Sequence, residues 1–261
     1  MRIDCDLHIH SYLSACSNEK DTRTPGAIVS LAEEMGLRAM GFADHLWTNP
    51  NLAPSEWYRP QDESQISRIR NELEGICSKV RVLVGCEAET IAPGKFGITR
   101  AFADQLDFVL LACSHFHQKE FVEQPDGDSP QELGKHIMKF FRSAVSSGLA
   151  TSIPHPLIPC GSLDKFDEAI ASLSDAELQD AFGLAQSHRV ALEITVGFIP
   201  NEKRPFSIET PIRFLSLAKQ AGCKFTLGTD AHSFKQQKRL QELRPLVEAL
   251  QLTDEDEWCA V

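Results

Sequence analysis

The chain has 261 residues, 42% of them hydrophobic and 15 of them glycine, an ordinary apolar share that excludes disorder as the main state. Its 26 basic and 37 acidic residues give a formal net charge of −11, which disfavours wrapping of long nucleic acid or adsorption to anionic lipid. No apolar run approaches the roughly 20 residues of a membrane span, and Met1-Arg2-Ile3-Asp4-Cys5-Asp6 lacks the apolar stretch of a signal peptide, so a cytoplasmic protein of one domain, 1–261, is expected.

Short runs rich in Val, Ile, Leu and Phe predict seven strands, near 2–8, 38–43, 80–86, 107–113, 150–154, 189–194 and 223–229. Helical patterns fall between and after them, near 25–35, 62–78, 97–105, 130–147, 164–187, 211–221 and 234–250. Thr24-Pro25, Ser129-Pro130 and Thr210-Pro211 each set a capping hydroxyl before a proline at the first helical position, and Glu132 gives Ser129 a capping-box partner. Gly36, Gly148 and Gly222 stop three helices just before a strand. Strict alternation of strand and helix implies parallel strands joined by crossovers. The long connections, 46–61, 114–129 and 195–210, all follow strands, which favours a barrel with its active face at the strand C-termini over an open sheet.

The eight cysteines form no C-x-x-C pair, so zinc ribbons and thioredoxin-type motifs drop out, and Cys5, Cys86, Cys113 and Cys223 sit in apolar runs where cysteine acts as a small hydrophobe. The chemistry gathers at strand ends. Side-chain alternation places Asp6, His8 and His10 on one face of the first strand, and the last strand ends in Asp230-Ala231-His232. Between them stand Asp44-His45 after strand two, Glu87 and Glu89 after strand three, His115 after strand four, His155 after strand five and Glu193 on strand six. In a parallel barrel these ends converge on one rim, so residues far apart in sequence meet in one pocket and can hold several metals.

The ordered series D-x-H-x-H, D-H, G-x-E, two separate histidines and G-x-D-x-H, running from residue 6 to residue 232, resembles the PHP (polymerase and histidinol phosphatase) family of metal-dependent phosphoesterases. The resemblance implies a distorted (β/α)7, TIM-like barrel with two or three divalent metals on the C-terminal rim, zinc first, manganese or iron as alternatives. It assigns His8, His10 and Asp230 to one metal, Glu87 as a bridge to a second metal held by His115 and His155, and His45 and His232 to a third. The position eight residues after His8, commonly His or Asp in the family, is Cys16 here, and a thiolate there favours zinc at about 2.3 Å.

Three divalent ions less the charges of Glu87, Asp230 and a Cys16 thiolate leave roughly +3 in an acidic protein, which suits a phosphate ester. Bound water brought to a pKa of about 7 supplies hydroxide at neutral pH. Glu87, Asp230 and His232 are the candidate catalytic residues, with a water near Asp230 or the third metal serving the leaving group. The expected activity is hydrolysis of a small phosphomonoester, histidinol phosphate being the option the resemblance offers. Nuclease or nucleotide phosphodiesterase action, amidohydrolase-type hydrolysis and a non-enzymatic metal-binding regulatory role are the alternatives.

Asp6, Asp44 and Glu193 are expected to orient ligand histidines rather than to bind metal. Arg204 and Lys203, then Lys119 and Arg59, are the candidates for holding phosphate. His117 is expected in a solvated loop, His136 and His188 in structural helical positions, and Trp47, Trp57 and Tyr58 either wall the pocket or pack on the rim.

Overall fold

A computed structural model describes residues 1–258. In chain order the elements are β1 (Cys5–Ile9), α1 (Pro25–Glu34), β2 (Ala39–Phe42), β3 (His45–Leu46), α2 (Ser64–Leu73), β4 (Arg81–Val84), β5 (Cys86–Ala92), β6 (Lys95–Phe96), α3 (Arg100–Ala103) and β7 (Val109–Ala112). Then follow α4 (Pro130–Ser146), β8 (Ser152–Ile153), α5 (Phe166–Ala171), α6 (Asp175–Ser187), β9 (Ala191–Thr195), α7 (Glu209–Gln220), β10 (Phe225–Gly228), α8 (Phe234–Gln237) and α9 (Arg244–Ala249).

Two staves of the barrel are interrupted: β2 and β3 are one run broken at residues 43–44, and β4 and β5 are one run broken at Gly85. Parallel pairing runs from β1 to β2 and β4, and from β3 through β5, β7, β8 and β9 to β10. The circuit closes where Ile9 bridges Ala231, with His10 N–H donating to Ala231 O at 3.0 Å and Ala231 N–H to His8 O at 3.2 Å. The seven expected staves are therefore present as a distorted parallel barrel. An antiparallel β6 extends β5 past the rim, a feature that the apolar runs did not announce.

Buried Arg23 staples the closing seam. Its Nε and Nη2 donate to His10 O at 3.1 and 2.6 Å, Nη2 reaches Ala231 O at 3.1 Å, and the guanidinium lies 5.3 Å from the centre of the Phe234 ring. The two bonds to His10 O satisfy a buried carbonyl that no strand partner takes, and the third adds a second donor to Ala231 O, which already accepts His10 N–H.

Outward-facing residues such as Met40, Phe42, Leu111, Ile153, Leu192 and Phe225 join the helices in one large apolar layer. A smaller cluster of Cys5, Leu7, Ala39, Ala43, Leu83, Phe108 and Leu110 fills the barrel floor. Phe108 fits only because its neighbours carry no side chain: a Cβ on Gly41 would lie 2.7 Å from its ring, and one on Gly85 2.5 Å from its carbonyl oxygen.

The caps at Thr24 and Ser129 form as expected, Ser129 with its full capping box. Thr210 does not cap: α7 starts at Glu209, and the Thr210 hydroxyl is taken by Asp167, which also accepts Ser207 N–H at 2.9 Å. The expected helix over 164–187 divides because Ser174 opens α6 with its own capping box to Glu177. The stretch 234–250 breaks into α8, a tight turn over 240–243 and α9, whose Pro245 lies in the first turn, where its missing N–H is tolerated. No helix among the described residues is long and apolar enough to cross a membrane.

Candidate metal centre

The simple alternation expected of β1 fails at a bulge. Asp6 pairs with Met40 but Ile9 with Phe42, three steps against two, so one residue of β1 is extra. Leu7 therefore joins the floor, while His8 and His10 reach the site. Asp6 stays at the seam, where its carboxylate accepts Thr229 N–H at 3.0 Å, Thr229 Oγ1 at 2.6 Å and His8 N–H at 3.2 Å. The expectation that Asp6 and Asp44 orient ligand rings is corrected. Asp44 accepts both the N–H and the hydroxyl of Ser11 at 2.5 Å, so both carboxylates fix backbone beside the site. Burial raises each to a pKa of about 6, against the hydrogen bonds that lower it.

Glu87, at the start of β5, is the hub. Its Oε1 lies 2.9 Å from His155 Nε2 and 3.6 Å from His115 Nε2, and its Oε2 lies 3.3 Å from His8 Nε2, 3.3 Å from His45 Nδ1 and 3.6 Å from His10 Nε2. Asp230 Oδ1 closes on His10 Nε2 at 3.1 Å and His8 Nε2 at 3.4 Å. Ligand atoms fall into three groups, each within 4.8 Å: His8, His10, Glu87 and Asp230; His10, Cys16, His45 and His232; and His115, His155 and Cys160. All nine expected ligand candidates are thus brought together. Cys160 joins them from the loop after β8, where neither strand spacing nor motif marks it.

Carboxylates and carbonyls fix the histidine rings from behind. Glu193 on β9 pairs with His8 Nδ1 at 2.8 Å and accepts His155 N–H at 2.8 Å. Glu89 pairs with His115 Nδ1 at 2.7 Å and is itself held by Tyr58 Oη and Gln118 Nε2, both at 3.0 Å. His232 Nδ1 donates to the Asp230 carbonyl at 2.7 Å. Such partners select the tautomer that aims the other nitrogen inward. Strain is concentrated here too: His155 and Asp230 adopt φ of 30° and 52°, values that non-glycine residues seldom occupy.

Electrostatics sort the donors. Burial pulls His8 down, but Glu193, Asp230 and Glu87 outweigh it and hold its pKa well above the usual value. Burial likewise opposes the raised pKa of His115, which Glu89 carries to about 9. His10 and His45 fall to about 4 and about 3, His10 through burial and the neighbouring His232, His45 through burial and its neighbours His10 and His115. Glu87 and Asp230 are held well below the carboxylate range by surrounding histidines despite burial.

Whether a metal suits this site is answered by the donors themselves. His10 Nδ1 and His45 Nδ1 are buried without a hydrogen-bond partner. Imidazoles, carboxylates and thiols without competing lysines are the donor types that divalent zinc takes. The residues fit such ions.

A cavity of ≈ 600 Å³ opens over the cluster, walled by Trp57, Ile158, Leu163, Thr195 and Arg204. Trp57 faces the cavity and packs edge-on to His45, whereas buried Trp47 and Tyr58 pack on Phe121 at the rim. Half-buried Arg204 points one nitrogen at Val196 O, 2.8 Å away, and burial lowers its pKa. Lys203 and Lys119 are exposed and do not line the cavity, and exposed Arg59 pairs with Glu56. His117 is exposed in its loop but borders the cavity. His136 bonds Glu123 O at 2.9 Å against Phe116 and Phe140, and exposed His188 ends α6.

No family model matches the chain. It is 25% identical over 248 residues to a probable phosphatase of Aliivibrio fischeri (strain MJ11), covering 95% of this chain and 85% of that one. It is 24% identical over 233 residues to a probable phosphatase of Vibrio cholerae serotype O1 (strain M66-2), covering 89% and 79%. Among solved structures, the fold is similar to histidinol phosphate phosphatase of Lactococcus lactis, solved with zinc, L-histidinol and phosphate, with TM-score 0.57, 18% identity and 96% and 94% of the two chains covered. It is also similar to a candidate histidinol phosphatase of Listeria monocytogenes, with TM-score 0.62, 12% identity and coverage of 89% and 96%.

Proposed function

We propose that this chain is a metal-dependent phosphoesterase of the PHP type that hydrolyses a small phosphomonoester. The observation that carries the reading is the convergence around Glu87 of three donor groups from the ends of six of the seven staves, beneath a cavity bordered by Arg204. In this reading His8, His10 and Asp230 would hold one ion, His115 and His155 a second, and His45, His232 and Cys16 a third, with Glu87 available to the first two. Bound there, divalent ions supply Lewis acidity and an acidified water.

The chain's own groups do the rest. Glu193 and Glu89 lock the rings of His8 and His115, so the donors are already placed when substrate arrives. Arg204 offers a guanidinium to a phosphate oxygen or to an anionic part of the leaving group. Asp230, the least buried carboxylate of the cluster, lines the cavity, where its ionised group would orient a water that protonates the departing oxygen. Trp57, Ile158 and Leu163 exclude water along the wall that receives the leaving group. The similar proteins named phosphatases support this reading, and L-histidinol phosphate is the first specific substrate to test. The seven free cysteines among the described residues suit a reducing compartment, which supports a cytoplasmic site of action.

The test is phosphate release by zinc- or manganese-loaded protein from L-histidinol phosphate, other phosphomonoesters and dinucleotides. Metal-dependent release from monoesters is expected. Release from dinucleotides alone would replace the reading by a phosphodiesterase, and tightly bound metal without release from any would remove the phosphoesterase assignment.

A further inference from the structure

We propose that Cys160 is a thiolate ligand of the ion held by His115 and His155, so that this centre carries a soft sulfur donor on each flank, Cys16 on one and Cys160 on the other. The inference rests on the metal-centre reading above. Its observation is that the Cys160 thiol and the ligand nitrogens of His115 and His155 lie within 4.8 Å of one another, as the corresponding atoms of Cys16, His10, His45 and His232 do on the other side.

One residue organises all three donors of the Cys160 flank. The Ser114 carbonyl accepts Cys160 N–H at 3.0 Å, the Ser114 hydroxyl pairs with His155 Nδ1 at 2.9 Å, and His115 is the next residue in the chain. Ser114 thus aims the His155 ring and fixes the Cys160 backbone. The turn that follows is fitted to the same loop: Gly161 has φ of 102°, and a Cβ there would lie 2.9 Å from His117 Cα. Both histidines have their outer nitrogens engaged, His115 by Glu89 and His155 by Ser114, and both turn Nε2 toward Glu87 Oε1. Cys160 reaches the group from the loop that borders the cavity, and it is in no disulfide.

Two imidazoles, one carboxylate oxygen and one thiolate make a four-donor set of the kind zinc prefers and manganese or magnesium does not. When the ion binds, the thiol proton leaves to solvent and a metal–sulfur bond forms, with no change of oxidation state. The consequence is selectivity: zinc is retained at the His115–His155 position against manganese.

The experiment is zinc X-ray absorption on full-length protein, with cobalt-substituted protein read by its thiolate-to-metal charge-transfer band. Wild type, Cys16→Ser and the Cys16→Ser/Cys160→Ser pair are compared at equal metal loading. With Cys16 replaced, a zinc–sulfur path at about 2.3 Å and the charge-transfer band are expected to persist. Both disappear when Cys160 is replaced as well, while the imidazole scattering stays. Absence of the sulfur path in Cys16→Ser, or its survival in the double variant, overturns the assignment of Cys160 and leaves the metal centre standing. A wild-type protein that retains no metal overturns the centre itself and this inference with it.

Discussion

The floor and the rim of the barrel are built from the same seven staves yet are held by opposite means. On the floor, Phe108 wedges against Gly41 and Gly85 beside Leu7, Leu83 and Leu110, and shape and apolar burial do the holding. On the rim, four carboxylates and six histidines lie buried or nearly so within a few ångströms, an arrangement whose desolvation is offset only by mutual pairing and by cations. A barrel of this kind keeps its fold in one half and its chemistry in the other, so the two halves are separable by mutation.

The sharpest way to test that separation is Asp230→Ala, which is expected to reduce phosphate release by about 10²–10³-fold and to lower metal content while circular dichroism stays unchanged. Unfolding of this variant would mean that the rim also holds the floor. Glu193→Gln, which loosens the His8 ring and the His155 backbone together, is expected to weaken metal binding by about 10–100-fold in competition with a chelating dye. Arg204→Ala, removing a charged donor from the cavity wall, is expected to raise KM roughly tenfold with metal content intact. Steady-state kinetics with kcat unchanged identifies it as a binding group.

On the floor, Gly41→Ala forces a methyl group to within 2.7 Å of the Phe108 ring and is expected to cost about 1–3 kcal/mol, read as a lower denaturation midpoint. Turnover per bound metal is expected to stay at the wild-type value; a fall in turnover would show that floor strain reaches the ligands. The smallest effect is the pH dependence of metal affinity. His115, raised to about 9, and Cys160, raised to about 12 with burial the leading cause, are protonated at neutral pH until an ion displaces the protons. Affinity is therefore expected to weaken as pH falls from 9 to 6, and calorimetry in buffers of differing ionisation enthalpy measures the protons released.

Much of this was legible because chemistry and periodicity coincide at strand ends. His10, His45, Glu87, His115, His155 and His232 each close a short apolar run, and a parallel barrel gathers such ends whatever their separation in sequence. Local irregularity was not legible. The extra residue in β1 turns Leu7 and His8 out of simple alternation and leaves Asp6 on the seam, and no residue type announces it. Glu89 was visible as a strand-end acid, but its partner His115 comes from the next stave, so its role as a ring support depends on register. Cys160 escaped for the same reason in stronger form: it lies in a loop whose fold is set by Ser114 and His117, far from it in sequence. The caps read correctly at Ser129 and wrongly at Thr210 because a hydroxyl binds whichever partner the tertiary fold brings, and Asp167 arrives from another helix.

The Arg23 staple across the seam has a consequence for how the enzyme is made. His10 leaves the ribosome 220 residues before Asp230, and it shares one donor group with Asp230 and another with His232. During synthesis this early histidine waits beside an arginine that has only half of its carbonyl partners. The centre is thus complete only once the last stave has docked, and a chain cut before that stave lacks the Asp230 and His232 donors.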